Sequence, residues 1–344
     1  MPTSMNRRTF LAATGAGLAA PLTVAPGLEY EPPQAQYEKE LTVNQEPVTA
    51  RITLVQMSAD AELPPPIERM PTFFEQAADI GADLIVFPEY ILGNNITPTD
   101  AVATRFFDLA HEYRINAIVG CVERHGADSW CTSAWVVNRE GILIDRYLKS
   151  HPASGPGPHW WPPLPGHGNE ARGVLGSQFK VFHLDFAPVA VLQCYDGYFP
   201  EAFGCTSYMG AEIILWINGR EGIIEDPYCI TAATCYGCVV GGVITEGHNT
   251  GFAGPGCVAP LGDYTDPPEE MRLYPRIKQP GDMCVSAVIN LSELRWKRKH
   301  LRTMHQRRPE MYGLLTRDVK MWQNYPEIPW DYPECADLVN KAQL

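Results

Sequence analysis

Short apolar runs alternate with longer amphipathic segments along most of this chain. Runs rich in Val, Ile and aromatic residues indicate strands, whereas apolar residues that recur every three or four positions indicate helices. The predicted strands cover residues 51–57, 83–87, 115–123, 131–137, 142–147, 179–184, 187–193, 212–217, 239–245, 251–259 and 283–290. The predicted helices cover residues 66–79, 100–113, 200–209 and 227–235, and a last helical segment begins at Ser292. Strands and helices that alternate in this way predict a layered α/β fold.

The folded part of the chain is predicted to be one large domain at residues 48–315. No change of composition inside this range marks a second domain, and 45% of the chain is hydrophobic, which is enough to bury a large core. Residues 27–47 are rich in Pro, Glu and Gln without an apolar period, so they are interpreted as a linker. Residues 316–344 are interpreted as a C-terminal extension.

Residues 1–26 resemble a twin-arginine export signal. The segment Asn6-Arg7-Arg8-Thr9-Phe10-Leu11 precedes a weakly apolar run of Ala and Gly at residues 12–20. That run is shorter than the ~20 apolar residues that a spanning helix needs, so no membrane span is predicted. The signal predicts export to the periplasm or the extracellular space. The alternative is an Ala/Gly-rich tail that contains two arginines by chance.

Acidic residues outnumber basic ones, with 40 Asp and Glu against 27 Lys and Arg and a formal net charge of -13. Such a chain offers no general basic surface for phosphates, so nucleic acid is not expected as the main partner. A basic stretch at residues 295–308 is the exception and is interpreted as a solvated or subunit-contacting helix face. A small neutral or cationic substrate is compatible with this charge.

A proline- and glycine-rich stretch at residues 151–168 interrupts the alternation of strands and helices. Its six prolines exclude a regular helix or a central strand, and loops of this length are usually functional. The stretch contains Trp160, a predicted part of an aromatic pocket wall, and also His151, His159 and His167. The spacing of these histidines matches no compact set of metal ligands, so no metal or cofactor is predicted.

Three reactive side chains lie just beyond the ends of predicted strands. Glu89, Lys149 and Cys194 each come directly after an apolar run. Strand ends are where layered α/β folds build their sites. Each residue alone also has a plain structural explanation: a helix cap or surface acid, a solvated lysine, or a thiol packed in the core.

Together, these residue types suit nucleophilic attack on an amide or nitrile carbon. A thiol becomes a strong nucleophile only as a thiolate, which a neighbouring cation and a base favour. Glu89 is the predicted base, which takes the proton of the Cys194 thiol and returns it to the departing amine. Lys149 places a positive charge where a tetrahedral intermediate becomes an oxyanion, and one such donor lowers the barrier by ~3 kcal/mol or more.

The sequences around these residues resemble the three signature segments of the nitrilase, or carbon-nitrogen hydrolase, superfamily. In the family's order, the segments are Asp83-Leu84-Ile85-Val86-Phe87-Pro88-Glu89, Tyr147-Leu148-Lys149 and Cys194-Tyr195-Asp196-Gly197-Tyr198-Phe199-Pro200-Glu201. The resemblance covers the whole predicted domain. It implies a Glu-Lys-Cys triad, a four-layer αββα sandwich, and assembly into a homodimer or a larger homo-oligomer.

Tyr195-Asp196 after the nucleophile favours the amidase and carbamoyl-hydrolase branches, because true nitrilases usually have Trp-Glu there. The resemblance therefore implies hydrolysis of a small amide or N-carbamoyl compound through a thioester on Cys194. Nitrile hydrolysis, acyl transfer to an amine, and a catalytically silent exported subunit stay open as alternatives. Tyr195, Trp160 and Asn218 are the predicted substrate-binding residues.

The superfamily places a second carboxylate between the lysine and the cysteine, where it orients the lysine. Glu170 and Asp185 are the only acids between Lys149 and Cys194. Asp185 follows a predicted strand and is interpreted as a turn residue. Glu170 is the predicted second glutamate, within hydrogen-bond reach of Lys149. A solvated loop glutamate facing Arg172 is the alternative.

Overall fold

The structure is a computed structural model that describes residues 47–153, 170, 173–254, 256–262 and 273–316. The predicted export signal, the predicted linker up to residue 46 and the C-terminal extension from residue 317 lie outside these residues. Trp160, His159 and His167 lie outside them as well. In the described part of the chain, no helix is both long and apolar enough to cross a membrane.

The described strands and helices follow the predicted alternation. The strands are β1 (Thr49–Gln56), β2 (Leu84–Val86), β3 (Asn94–Ile96), β4 (Asn116–Arg124), β5 (Trp130–Val137), β6 (Leu143–Leu148), β7 (Val181–His183), β8 (Pro188–Gln193), β9 (Ile213–Ile223), β10 (Val239–His248), β11 (Gly251–Ala253), β12 (Val258–Leu261) and β13 (Met283–Asn290). The helices are α1 (Pro66–Asp79), α2 (Ala101–Tyr113), α3 (Pro200–Tyr208), α4 (Asp226–Tyr236), α5 (Leu291–His300) and the short α6 (Arg302–His305). Short 3-10 helices cover Cys194–Tyr198, Pro309–Met311 and Gly313–Thr316.

Local sequence explains where the longer helices begin and end. α1 begins with Pro66 at its first position, where a missing N–H costs no helical hydrogen bond. α2 ends at Arg114, whose left-handed φ of 55° stops the helix. α5 is capped by Asn290, whose side chain accepts a hydrogen bond from the backbone N–H of Glu293.

The described strands form two sheets. The first has the order β12-β13-β1-β2-β4-β5-β6, with β3 paired to β4, and the second has the order β11-β10-β9-β8-β7. β1, β2 and β4 are parallel, and so are β8, β9 and β10. β6 is antiparallel to β5, which is antiparallel to β4, so β2, β4 and β6 all end at the same edge of the first sheet.

Three apolar clusters separate four layers of structure. The central cluster lies between the two sheets and contains Leu54 from the first sheet and Val191 from the second. A second cluster packs the outer face of the first sheet against α1 and α2, around Phe74 and Phe106. The third packs the outer face of the second sheet against α3 and α4, around Phe203. Removal of apolar surface from water at these three interfaces stabilises the layers, and the arrangement confirms the predicted αββα sandwich.

Three strand predictions differ from the structure, and one of them is the strand predicted at residues 212–217, which continues as β9 to Ile223. The single strand predicted at residues 251–259 is wrong: β11 belongs to the second sheet and β12 to the first. The break falls beside Gly256, whose φ of 68° lies in the left-handed region that a regular strand does not use. β3 was not predicted, because a three-residue strand with two exposed asparagines has no apolar pattern.

The sheet order brings the predicted chemistry together from both sheets. Glu89 and Lys149 follow β2 and β6, which end at the same edge of the first sheet. Cys194 follows β8 in the second sheet. Gln193 pairs with Ile217, so the next residues of β9 lie beside the nucleophile turn.

Candidate active site

Glu89 lies directly beyond β2, and it is only 1% exposed. Its Oε2 accepts a hydrogen bond of 2.9 Å from the backbone N–H of Gly219 in β9. The chain turns sharply after the carboxylate, since Tyr90 has a left-handed φ of 63°. Gly120 in β4 leaves room for this turn, because a Cβ there would collide with the backbone of Glu89. Backbone groups therefore fix the position of the carboxyl.

Lys149 lies between two carboxylates. Its Nζ donates to Glu89 Oε1 at 3.0 Å and to Glu170 Oε1 at 2.7 Å. The side chain is 2% exposed, so the ammonium has lost its water and depends on these partners. Side chains alternate along a strand, so Lys149 continues the face of β6 on which Tyr147 points into the central cluster.

Glu170 is held by the lysine and by the backbone. Its Oε2 accepts a hydrogen bond of 2.5 Å from the N–H of Ala153, and the residue is 9% exposed. The structure thus has the predicted contact between Glu170 and Lys149. The part that Glu170 takes in turnover stays a prediction.

Cys194 opens the 3-10 helix between β8 and α3. Its φ is 42°, which costs a residue with a side chain about 1–3 kcal/mol and requires support from its surroundings. Trp216 supplies part of that support, because its Nε1 donates to the carbonyl of Cys194 at 2.6 Å. Gly197 lets the turn pack on this indole, since a Cβ there would collide with the ring.

The thiol and the carboxyls have shifted proton affinities. Burial, and then the charge of Glu89, raise the pKa of the Cys194 thiol to about 12. Lys149 and Arg220 act on the thiol in the opposite direction. Burial also raises the pKa of Glu89 above its ordinary value, against the lowering effect of Lys149. Burial and the charge of Glu89 raise the pKa of Glu170. The thiol is therefore protonated at neutral pH, and attack requires a base that takes its proton.

The family follows from a match over these same segments. The carbon-nitrogen hydrolase family model matches residues 51–226, slightly more than half of the 344 residues. This chain belongs to the carbon-nitrogen hydrolase family. The family match confirms the predicted superfamily and enzyme class.

Several known proteins are similar to this carbon-nitrogen hydrolase in sequence or in fold. The probable hydrolase YhcX of Bacillus subtilis is 27% identical over 276 residues, which cover 70% of this chain and 50% of the relative. Citrullinase of Francisella tularensis is 26% identical over 185 residues, which cover 48% of this chain and 60% of the relative. The chain thus spans only 50% to 60% of the length of these two relatives.

The crystal structure of a carbon-nitrogen hydrolase from Helicobacter pylori superposes on this chain with a TM-score of 0.59 at 16% sequence identity. The superposition covers 78% of this chain and 98% of that one, which shows a shared fold.

The predicted substrate-binding residues have different surroundings. The Tyr195 ring packs against Tyr198 and Phe199, with ring centroids 5.7 Å and 5.3 Å away. Asn218 is fully buried, and its Nδ2 donates to the carbonyls of Trp216 and Val243. Trp160 lies outside the described residues. Substrate binding by these residues stays a prediction.

Sequence reasoning did not single out Arg220 or the backbone of Gly219. Arg220 pairs with Glu225 at 2.5 Å, and its guanidinium lies 5.8 Å from the centre of the Tyr198 ring. Both residues are in β9, which pairs with β8, the strand that leads to Cys194. No sequence motif marks these two residues. Only the register in which β9 pairs with β8 brings them close to the nucleophile.

Proposed function

We propose that this chain hydrolyses a non-peptide C–N bond in a small amide or N-carbamoyl compound, through a covalent thioester on Cys194. The observation that carries the proposal is the buried Lys149 ammonium held between Glu89 and Glu170. Both of these carboxylates act electrostatically on the Cys194 thiol. A base, a cation and a nucleophile in one dry site form an arrangement suited to acyl transfer.

In the first half of the reaction, Glu89 takes the thiol proton as the sulfur of Cys194 attacks the carbonyl carbon. The C=O π electrons move to oxygen, and the Lys149 ammonium stabilises the resulting oxyanion. The oxyanion then collapses and the C–N bond breaks. Glu89 returns the proton to the departing nitrogen, so ammonia or an amine leaves and a thioester remains.

In the second half, water attacks the thioester. Glu89 takes a proton from the water, and Lys149 again stabilises the oxyanion. When the C–S bond breaks, the sulfur regains the proton and the acid is released. Glu170 keeps the ammonium directed at the oxyanion through both halves, because its carboxylate accepts a second hydrogen bond from Nζ in addition to the one that Glu89 accepts.

The names of the relatives support C–N hydrolysis without selecting one compound. One relative is called citrullinase, and another, from Pyrococcus abyssi, is called nitrilase. Tyr195-Asp196 after the nucleophile favours an amide or N-carbamoyl substrate over a nitrile. No cofactor enters the proposed reaction.

Ammonia release from a panel of amides, N-carbamoyl compounds and nitriles tests the proposal. Wild type should release ammonia from at least one amide or N-carbamoyl compound, and Cys194→Ala should release none while keeping its fold. Release from nitriles alone would contradict the proposed substrate class. A second reaction with a competing amine separates hydrolysis from acyl transfer, because transfer would give an N-substituted amide in place of the acid.

A silent exported subunit is the alternative of a different class. Peptide mapping after brief treatment with a small thiol alkylator distinguishes the two. An enzyme should react preferentially at Cys194, whereas a silent subunit would show no such preference.

We further propose that the chain is exported by its twin-arginine segment and assembles into a homo-oligomer. Replacing Arg7 and Arg8 with lysine should keep the precursor inside the cell, and unchanged export would remove this proposal. Exposed apolar side chains support assembly, since Met311, Leu314 and Leu315 are 63%, 66% and 64% exposed. Sedimentation of the purified protein at monomer mass would contradict assembly.

A further inference from the structure

One buried carboxylate outside the predicted triad connects the segments that carry the lysine and the nucleophile. Asp196 lies in the 3-10 helix two residues after Cys194, and it is fully buried. We propose that Asp196 is a positioning residue that holds these two segments at a fixed separation, with Tyr147 and His151 as its partners. The inference rests on the proposed hydrolysis for its activity measurements.

Asp196 accepts hydrogen bonds from both segments. Its Oδ2 accepts from the hydroxyl of Tyr147 at 2.9 Å and from the backbone N–H of Gln193 at 3.0 Å. Its Oδ1 lies 2.9 Å from the backbone nitrogen of His151 and 2.8 Å from the ring Nδ1 of the same residue. Because an ionised carboxylate only accepts, Nδ1 carries the hydrogen in this contact. These four bonds fill the acceptor sites that a buried carboxylate must fill.

The residues that bind Asp196 are close in sequence to the proposed catalytic residues. Tyr147 and His151 each lie two residues from Lys149, on opposite sides of it. Gln193 directly precedes Cys194. β6, which leads directly to the lysine, belongs to the first sheet, and β8, which leads directly to the cysteine, belongs to the second. One carboxylate therefore joins the two sheets at the level of the proposed reaction.

His151 closes this cluster toward the solvent. Its side chain is 32% exposed, and its ring stacks on Phe199 with centroids 4.1 Å apart and planes 18° from parallel. The stacked ring also lies 6.2 Å from the centre of Phe179. These contacts hold the imidazole in the orientation that its bond to Asp196 requires.

The charge of Asp196 gives the proposal a signature that a purely structural role lacks. Asp196 raises the pKa of both Glu89 and Glu170 by its negative charge. Asp196→Asn removes that charge, so the pKa of Glu89 falls and the base becomes available at lower pH. The acid limb of the pH profile should therefore move to lower pH. The titratable and charged groups of the site are Glu89, Lys149, Glu170, Cys194, Asp196 and Arg220, with Tyr147 and His151 bound to Asp196.

The experiment measures two pH profiles for wild type, Asp196→Asn, Tyr147→Phe and His151→Ala. One profile is the rate of iodoacetamide alkylation at Cys194, which needs no substrate. The other is kcat for ammonia release per alkylatable Cys194.

Tyr147→Phe removes a single oxygen, so it tests the same contact if Asp196→Asn fails to fold. Glu123→Gln is the matched control, because Glu123 is a buried carboxylate in β4 that accepts from Trp135 instead.

The proposal predicts that Tyr147→Phe and His151→Ala each lower kcat by about tenfold and that Asp196→Asn lowers it by on the order of 10²-fold, because small misplacements of reacting groups have effects of that size. KM should change little in all three variants. Asp196→Asn should also move the acid limb of alkylation to lower pH, and Glu123→Gln should move neither measurement. The positioning role would be overturned if Asp196→Asn kept the wild-type kcat per alkylatable Cys194 and its acid limb of alkylation did not move. It would also be overturned if the loss of kcat in each variant only followed the fraction of that variant that is folded. Wild type that releases ammonia from no compound would overturn the proposed function instead, and the alkylation profiles would still decide the role of Asp196.

Discussion

The neighbouring parallel strands β2 and β4 each position a buried glutamate, Glu89 after β2 and Glu123 within β4, and the surroundings of the two glutamates differ. Glu123 in β4 accepts from Trp135 Nε1 at 2.9 Å and pairs with Arg146, whose side chain is 40% exposed. Glu89 beyond β2 pairs with Lys149, which is 2% exposed and is shared with Glu170. At Glu123, one carboxylate is paired with one partially exposed guanidinium. At Glu89, two carboxylates share one buried ammonium.

The difference indicates what each site does. A balanced pair with a solvated partner is an ordinary way to bury a glutamate. Burial raises the pKa of Glu89, Glu170 and the Cys194 thiol, and negatively charged neighbours raise it further. Holding these acids together in a buried site therefore costs stability. Such a cost is typical of sites that move protons.

The largest contrast is expected between the two glutamates themselves. Glu89→Gln removes the proposed base and should lower turnover by about 10²- to 10⁴-fold. Glu123→Gln should leave turnover per alkylatable Cys194 within about twofold of wild type, because it touches no group of the catalytic cluster. Ammonia release normalised to alkylatable sites checks both variants. Equal losses would mean that the two glutamates have the same structural role.

The two cations should separate in the same way. Lys149→Met removes the oxyanion partner and should lower turnover by on the order of 10²- to 10³-fold. Arg146→Met should instead leave turnover nearly unchanged and lower the free energy of unfolding by roughly 1–2 kcal/mol, because it leaves the Glu123 carboxylate underpaired. Urea denaturation and ammonia release measure the two effects. A Lys149→Met enzyme with normal turnover would remove the lysine from the mechanism.

Glu170→Gln is expected to have a smaller effect. The amide keeps the shape of the side chain but loses the charge that directs the ammonium, so turnover should fall by about tenfold or more with little change in thermal stability. Measurements of kcat and of the thermal midpoint test this variant. Near wild-type turnover would show that the enzyme works without a second glutamate.

The pH dependence should show the smallest effect. Glu89 must be ionised to act as a base, and burial raises its pKa above the ordinary value of 4.5. Activity should therefore fall as the pH drops through a midpoint above that value, because protonation removes the base. The acid limb of kcat/KM measures this midpoint. A limb at or below the ordinary glutamate range would contradict the assignment of Glu89.

The layers and the triad segments were predictable because their signals are local. α1 has the predicted bounds, since a proline start and apolar residues at helical spacing mark it directly. Glu89, Lys149 and Cys194 stand in short motifs at strand ends.

The rest of the site depends on how the sheets pack. Arg220 reaches the nucleophile turn only through the register of β8 and β9. Asp196 meets Tyr147 across 49 residues of sequence and between two sheets, which no local pattern encodes. The contact of Glu170 was predicted from the resemblance, because its own neighbourhood carries no clean motif.

Trapping the covalent intermediate tests the central claim most directly. Wild type mixed with its best substrate and quenched in acid should yield a Cys194-containing peptide that is heavier by the acyl group of the substrate. The same peptide from Cys194→Ala should carry no added mass, and that variant should release no ammonia. Undiminished ammonia release by Cys194→Ala would contradict the account.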